Sequence, residues 1–171
     1  MIKDYITNEP IFDGPYDART RVHEYGGGQS FAYNGSVYFS NYLDDMLYVV
    51  KPGDKMPVRL TSEQKKASSF ITFILWSGNE TQVYIEPTGP KRRYADFDVH
   101  PVHPRIIVCV AEIHGKTVED LIVAIDTETG QESAIVFASS HGEHPFLSRR
   151  PDFVDNPRFS PDGRHLVFRV W

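Results

Sequence analysis

Short apolar runs recur along this chain with turn residues between them, and that recurrence limits what it can fold into. Residues 37–39, 46–50, 106–110, 121–125, 135–137 and 166–168 are rich in β-branched and aromatic side chains. Such runs are too short for core helices and suit a pleated surface, so each reads as a strand. Three turn signals precede strands: Asn34-Gly35, His103-Pro104 and Asp162-Gly163. The last belongs to Ser160-Pro161-Asp162-Gly163, which has the residue order of a type I turn: a side-chain acceptor, a preset φ and, at the end, a permissive residue.

After the first two signals the pattern continues alike. A strand, a second strand, a polar turn (Lys51-Pro52-Gly53-Asp54 or Asp126-Thr127-Glu128-Thr129-Gly130) and a third strand follow in turn. Repeats of about 40 to 50 residues with four strands each mark propeller blades, and the wider spacing here implies insertions. The expected fold is therefore all-β, a partial β-propeller of about three four-stranded antiparallel blades in an open arc. Residues 1–18 form an N-terminal segment, 19–171 the incomplete propeller, and about 62–92 an insertion. Within the insertion, Thr61 and Gln64 offer a capping box for two turns of helix, and residues 70–76, without charge or proline, either add a strand or expose a sticky segment.

With 171 residues the chain can bury a core of its own as one domain. Its net charge of −5 argues against a polyanionic partner, so no nucleic acid is expected; the sole basic run, Lys91-Arg92-Arg93, reads as a solvated turn. The single cysteine, Cys109, lies among Ile106, Ile107, Val108 and Val110 and reads as a buried small hydrophobe. The first residues lack an apolar signal region and no apolar run is long enough to span a bilayer, which predicts a cytoplasmic protein without membrane contact.

One stretch carries more than strand pattern: Arg19-Thr20-Arg21-Val22-His23-Glu24-Tyr25-Gly26-Gly27-Gly28. The three glycines do not fit a phosphate cradle, since no Lys-Ser or Lys-Thr and no helix start follows. Within strand-rich sequence they mark bulges or close backbone approach. At the other end of the chain, Asp152-Phe153-Val154-Asp155-Asn156-Pro157-Arg158-Phe159-Ser160-Pro161-Asp162-Gly163 leads into the last strand. Together the two motifs resemble the β-propeller domain of prolyl oligopeptidase family serine peptidases, the dipeptidyl aminopeptidase and acylaminoacyl peptidase branch. Residues 37–42, 93–96, 108–112 and 121–126 are similar to that family's blade strands in the same order. Val154 departs from it, standing where the family generally has Tyr.

The resemblance implies a propeller that restricts entry, so that short peptides reach a serine on a separate α/β-hydrolase domain. That domain is expected to be absent here, the chain being a truncated, non-catalytic part of a parent that cleaves peptides near the N-terminus. A hydrolase serine needs Gly-x-Ser-x-Gly, and the nearest approach, Gly28-Gln29-Ser30-Phe31-Ala32, has alanine where the second glycine belongs. No catalytic, cofactor-binding or metal residue is therefore assigned, and no cofactor is expected. His100-Pro101-Val102-His103 and His141-Gly142-Glu143-His144 have metal-like spacing but sit in turn contexts. His23, Glu24 and Tyr25 are the residues to face the channel or the substrate cavity, with packing as the competing role. The alternative is a stand-alone interaction or accessory protein, possible in a small-molecule pathway, whose exposed sheet edges recruit a partner strand or a second copy.

Overall fold

The computed structural model describes residues 2–4, 6–61, 91–136 and 151–171 in full, and 70–74, 80–84 and 137 by their backbone. Twelve strands are present among them: β1 Ser30–Tyr33, β2 Ser36–Ser40, β3 Leu47–Val50, β4 Val58–Arg59, β5 Phe70–Ile74, β6 Glu80–Tyr84, β7 Lys91–Val99, β8 Ile106–His114, β9 Val118–Asp126, β10 Glu132–Phe137, β11 Val154–Phe159 and β12 Leu166–Val170. All pair antiparallel with their chain neighbours, giving four-stranded sheets β1 to β4 and β7 to β10 and two-stranded sheets β5–β6 and β11–β12. No α-helix occurs among the described residues.

Turn chemistry sets these pairings. Asn34 and Gly35 both take positive φ, 47° and 76°, and Tyr33 faces Ser36, a two-residue turn whose twist matches the flanking strands. At the last hairpin the Gly163 N–H donates to the Ser160 carbonyl at 2.8 Å, closing the turn expected there. The Ile106 N–H likewise donates to the His103 carbonyl at 2.8 Å just before β8.

Packing explains why β8 and β9 read as nearly unbroken apolar runs: both faces of their sheet are covered. Ile107, Cys109, Ala111, Leu121, Val123 and Ile125 join Tyr38, Leu47 and Val49 of the first sheet in the main core. On the opposite face Ile122 and Val136 pack with Val154 of β11, and Val110 packs with Val22 and Ala95. Residues ahead of β1 cover the first sheet's outer side, where Phe12 stacks on Phe39 and Tyr16 meets both Phe39 and Tyr48 edge-on. Phe39 is wholly buried, a contribution of about 2 kcal/mol from removing its ring from water.

A bulge in β7 ties three sheets together. The register slips between Ala95 and Asp98, and the bulge residue Asp96 has φ 58°. The Gly28 N–H donates to Asp96 Oδ1 at 2.6 Å and the Asp96 N–H to the Gly28 carbonyl at 2.8 Å, which joins the first sheet to the second. Two residues on, Asp98 Oδ2 accepts from the Phe159 N–H at 2.8 Å and joins the second to the third.

Several expectations change. Among the described residues the sheet formed by β11 and β12 has two strands rather than four, a single hairpin turned at Ser160 to Gly163. Lys91-Arg92-Arg93 opens β7 instead of forming a solvated turn: Arg92 and Arg93 are buried, the first ion-paired with Glu132. Ahead of β12, Val154 is fully buried and Asp155 nearly so. Residues 70–74 do add a strand, whereas the helix expected from Thr61 and Gln64, and the His141 and His144 pair, lie outside the described residues.

Candidate functional site

The Arg19 to Gly28 motif lies across the second sheet, and its centre is a short 3-10 turn, Val22–Glu24. His23 and Glu24 both have left-handed backbones, φ 53° and 64°. Each costs a side-chain-bearing residue about 1 kcal/mol or more, so the surroundings must hold them. Val22 anchors the turn from below against Ala95 and Val110. The His23 N–H donates to Glu112 Oε2 at 2.6 Å, and Arg93 Nη1 lies 2.9 Å from the Arg21 carbonyl, 2.7 Å from Glu24 Oε1 and 3.1 Å from Glu112 Oε1.

Strand register assembles the charged groups. Arg93 of β7 faces Glu112 of β8, which faces Asp120 of β9, so the three stand in one row across the sheet. Two carboxylates directly opposite repel. Arg93 offsets Glu112, and His23 meets Asp120, with Nε2 3.4 Å from Oδ1 and both side chains more than nine-tenths buried. His114 Nε2 reaches the same Glu112 carboxylate. The Asp120 carboxylate raises His23 above its ordinary pKa, outweighing the opposing effect of burial, and Arg93 holds Glu24 below the usual carboxylate range.

Outside this row an aromatic group closes over the imidazole. The rings of Tyr25, Phe153 and Trp171 lie 5.9, 5.4 and 5.9 Å from that of His23, and Asp155 below them is ion-paired with Arg169. Two sets of donor atoms are close enough to share a cation: His23, Glu112 and Asp120, and Glu24, Glu112 and His114, each within 4.8 Å of one another.

The three residues expected to face a channel or cavity thus part company. Tyr25 is 79% exposed, Glu24 projects outward while ion-paired, and the His23 side chain points into the protein. Glu112 and Asp120 were not singled out by sequence reasoning, and Arg93 was read only as part of a solvated basic turn. Their signal is a charge inside an apolar strand run, and it acquires meaning only once the β8–β9 register puts 112 opposite 120. The glycines act by close approach: a Cβ on Gly28 would lie 2.9 Å from Asp96 Oδ1, and one on Gly27 3.0 Å from the Ala95 Cβ.

His100 of the His100 and His103 pair is used structurally, its Nδ1 accepting from the Val102 and His103 N–H groups at 3.2 and 3.0 Å. Burial, then the neighbouring His103, lowers its pKa. Cys109 is fully buried, and burial pushes its thiol well above the ordinary value, which suits packing and not nucleophilic chemistry. Among the described residues no helix is long and apolar enough to cross a membrane.

No protein-family model and no curated protein matches the chain. Among solved structures it is similar to a puromycin-hydrolyzing peptidase of Mycobacterium tuberculosis, with a TM-score of 0.61 and 28% identity over 94% of this chain. The matched region is 22% of that peptidase's length, so the chain spans a minor part of it. The likeness supports a peptidase-related origin for this all-β fold.

Proposed function

We propose that the chain is a non-catalytic part of a β-propeller from a prolyl oligopeptidase type serine peptidase. The observation that carries this reading is the similarity, over nearly the whole chain, to part of a peptidase. Two antiparallel four-stranded sheets in chain order, joined side by side through Gly28 and Asp96, suit successive blades, with β11–β12 belonging to a third. The acidic charge and lone buried cysteine suit a cytoplasmic setting.

In this reading the peptide chemistry resides on a separate α/β-hydrolase domain, and this chain contributes a wall that limits entry. Tyr25 and Glu24 are its best candidates to meet a peptide, being exposed on a turn that the sheet holds firmly. The purified chain should turn over no chromogenic aminoacyl or acylaminoacyl peptide, and a fluorophosphonate should label no serine. Labelling of any serine would refute the non-catalytic reading.

A second reading, an interaction module, rests on β12. Val167 and Val170 are exposed on this strand and Trp171 follows it, a surface suited to an added strand. Size-exclusion mass separates the two: a clean monomer at all concentrations counts against the module.

A further inference from the structure

We propose that His23, Glu112 and Asp120 form a binding site for a divalent transition-metal ion, zinc being the best-matched probe. Three features of the site converge on a cation of that kind, and none depends on the peptidase reading.

The first is distance. His23 Nε2 and Asp120 Oδ1 are 3.4 Å apart, and neither makes a hydrogen bond. A charge-assisted hydrogen bond would draw such a pair to about 2.8 Å. A tetrahedral shell with bonds of about 2.1 Å keeps neighbouring donors about 3.4 Å apart. The second is burial: both side chains are more than nine-tenths buried, and polar atoms left without partners there carry a desolvation cost that a shared ion would offset.

The third is charge. Glu24, Glu112 and Asp120 contribute three negative charges to the cluster and Arg93 one positive, while Asp155 is neutralised by Arg169. An ion bound at His23 Nε2 takes the place of the proton there, and the net charge of these four side chains then matches a divalent ion. Imidazole with two carboxylates is a donor set that zinc and its first-row neighbours accept, and the surrounding Tyr25, Phe153 and Trp171 rings limit water at the site. Glu112 already carries its own contacts to Arg93, His114 and the His23 N–H, which fix the carboxylate's orientation as outer partners do in metal sites.

The test is calorimetric titration of Zn²⁺ into the chelator-treated chain at neutral pH, with Co²⁺ absorption as a second readout. One saturable ion per chain is expected, with affinity reduced at least ~100-fold in Asp120→Asn, a shape-conserving loss of one donor. Co²⁺ should give the visible bands of a low-coordinate site in the wild type and lose them in His23→Gln, while His100→Gln leaves both readouts unchanged. Either variant suffices if the other does not fold, as judged by circular dichroism. The proposal is overturned if the wild type shows no saturable binding, if a folded Asp120→Asn or His23→Gln binds as the wild type does, or if His100→Gln removes the ion.

Discussion

Asp96 offers the sharpest test of how the glycine motif is joined to the neighbouring sheet. Its carboxylate accepts the Gly28 N–H at 2.6 Å while its own backbone sits at φ 58°, so side chain and backbone conformation contribute separately. A hydrogen bond to a charged acceptor contributes about 1.5 to 3 kcal/mol, discounted here to about 1 to 1.5 because Gly28 is exposed to water. Placing alanine at this φ adds about 1 kcal/mol, a strain that glycine avoids and asparagine tolerates. Asp96→Ala should therefore cost about 2 to 2.5 kcal/mol, Asp96→Gly about 1 to 1.5, and Asp96→Asn, which keeps an acceptor, under about 1. Urea denaturation with an unchanged slope reads the three as shifts in midpoint. If glycine is as damaging as alanine, or if all three match the wild type, the bulge does not connect the sheets as argued.

Arg93→Met should destabilise by about 3 kcal/mol or more, because Glu112 stays buried without its guanidinium; a change in melting temperature within error would contradict the ion-pair row. Gly163→Ala should cost at least about 1 to 2 kcal/mol, since Gly163 has φ 70° and an added Cβ would meet the His100 ring; combining it with His100→Ala should recover part of that loss in a double-mutant cycle, and strict additivity would rule out the contact. His100 has a folded pKa below its ordinary 6.5, burial being the main cause. Its contribution to stability is thus present above pH 6.5 and lost as pH falls through the folded value, so wild type and His100→Gln should diverge in urea midpoint over that acid window, and parallel profiles would exclude the effect.

The all-β class and the hairpins were legible because their causes are local. Asn34-Gly35 can hardly do anything but reverse the chain, and Ser160 to Gly163 closes the turn its residue order specifies. For the glycine run the sequence left a bulge and a close backbone approach both open; the structure shows the close approach, to Asp96, while the bulge belongs to β7. What failed was reading exposure from charge. Lys91-Arg92-Arg93 looks like a solvated turn to any rule that weighs single residues, yet two of its members are buried in β7 because Glu132 and Glu112 stand where they can be met.

The same reasoning separates the legible part of the candidate site from the rest. His23 was singled out for its motif, but the groups that give it chemistry lie 89 and more positions away in sequence, on strands whose charges look incidental when read alone. A carboxylate inside an apolar strand is ambiguous until its register is known, because a shift of one residue would turn its side chain to the other face. Here the pairing of His114 with Val118 fixes that register, and through it Glu112 must face Asp120. Once two acids are opposed inside a covered sheet, a positive group must follow, and the chain supplies Arg93 to one of them by an adjacent strand and His23 to the other by a turn held in a costly conformation. Strain at His23 and Glu24 is then the consequence of delivering an imidazole to a buried carboxylate, which is why the motif combines ionisable residues with glycines that let it lie close against the sheet.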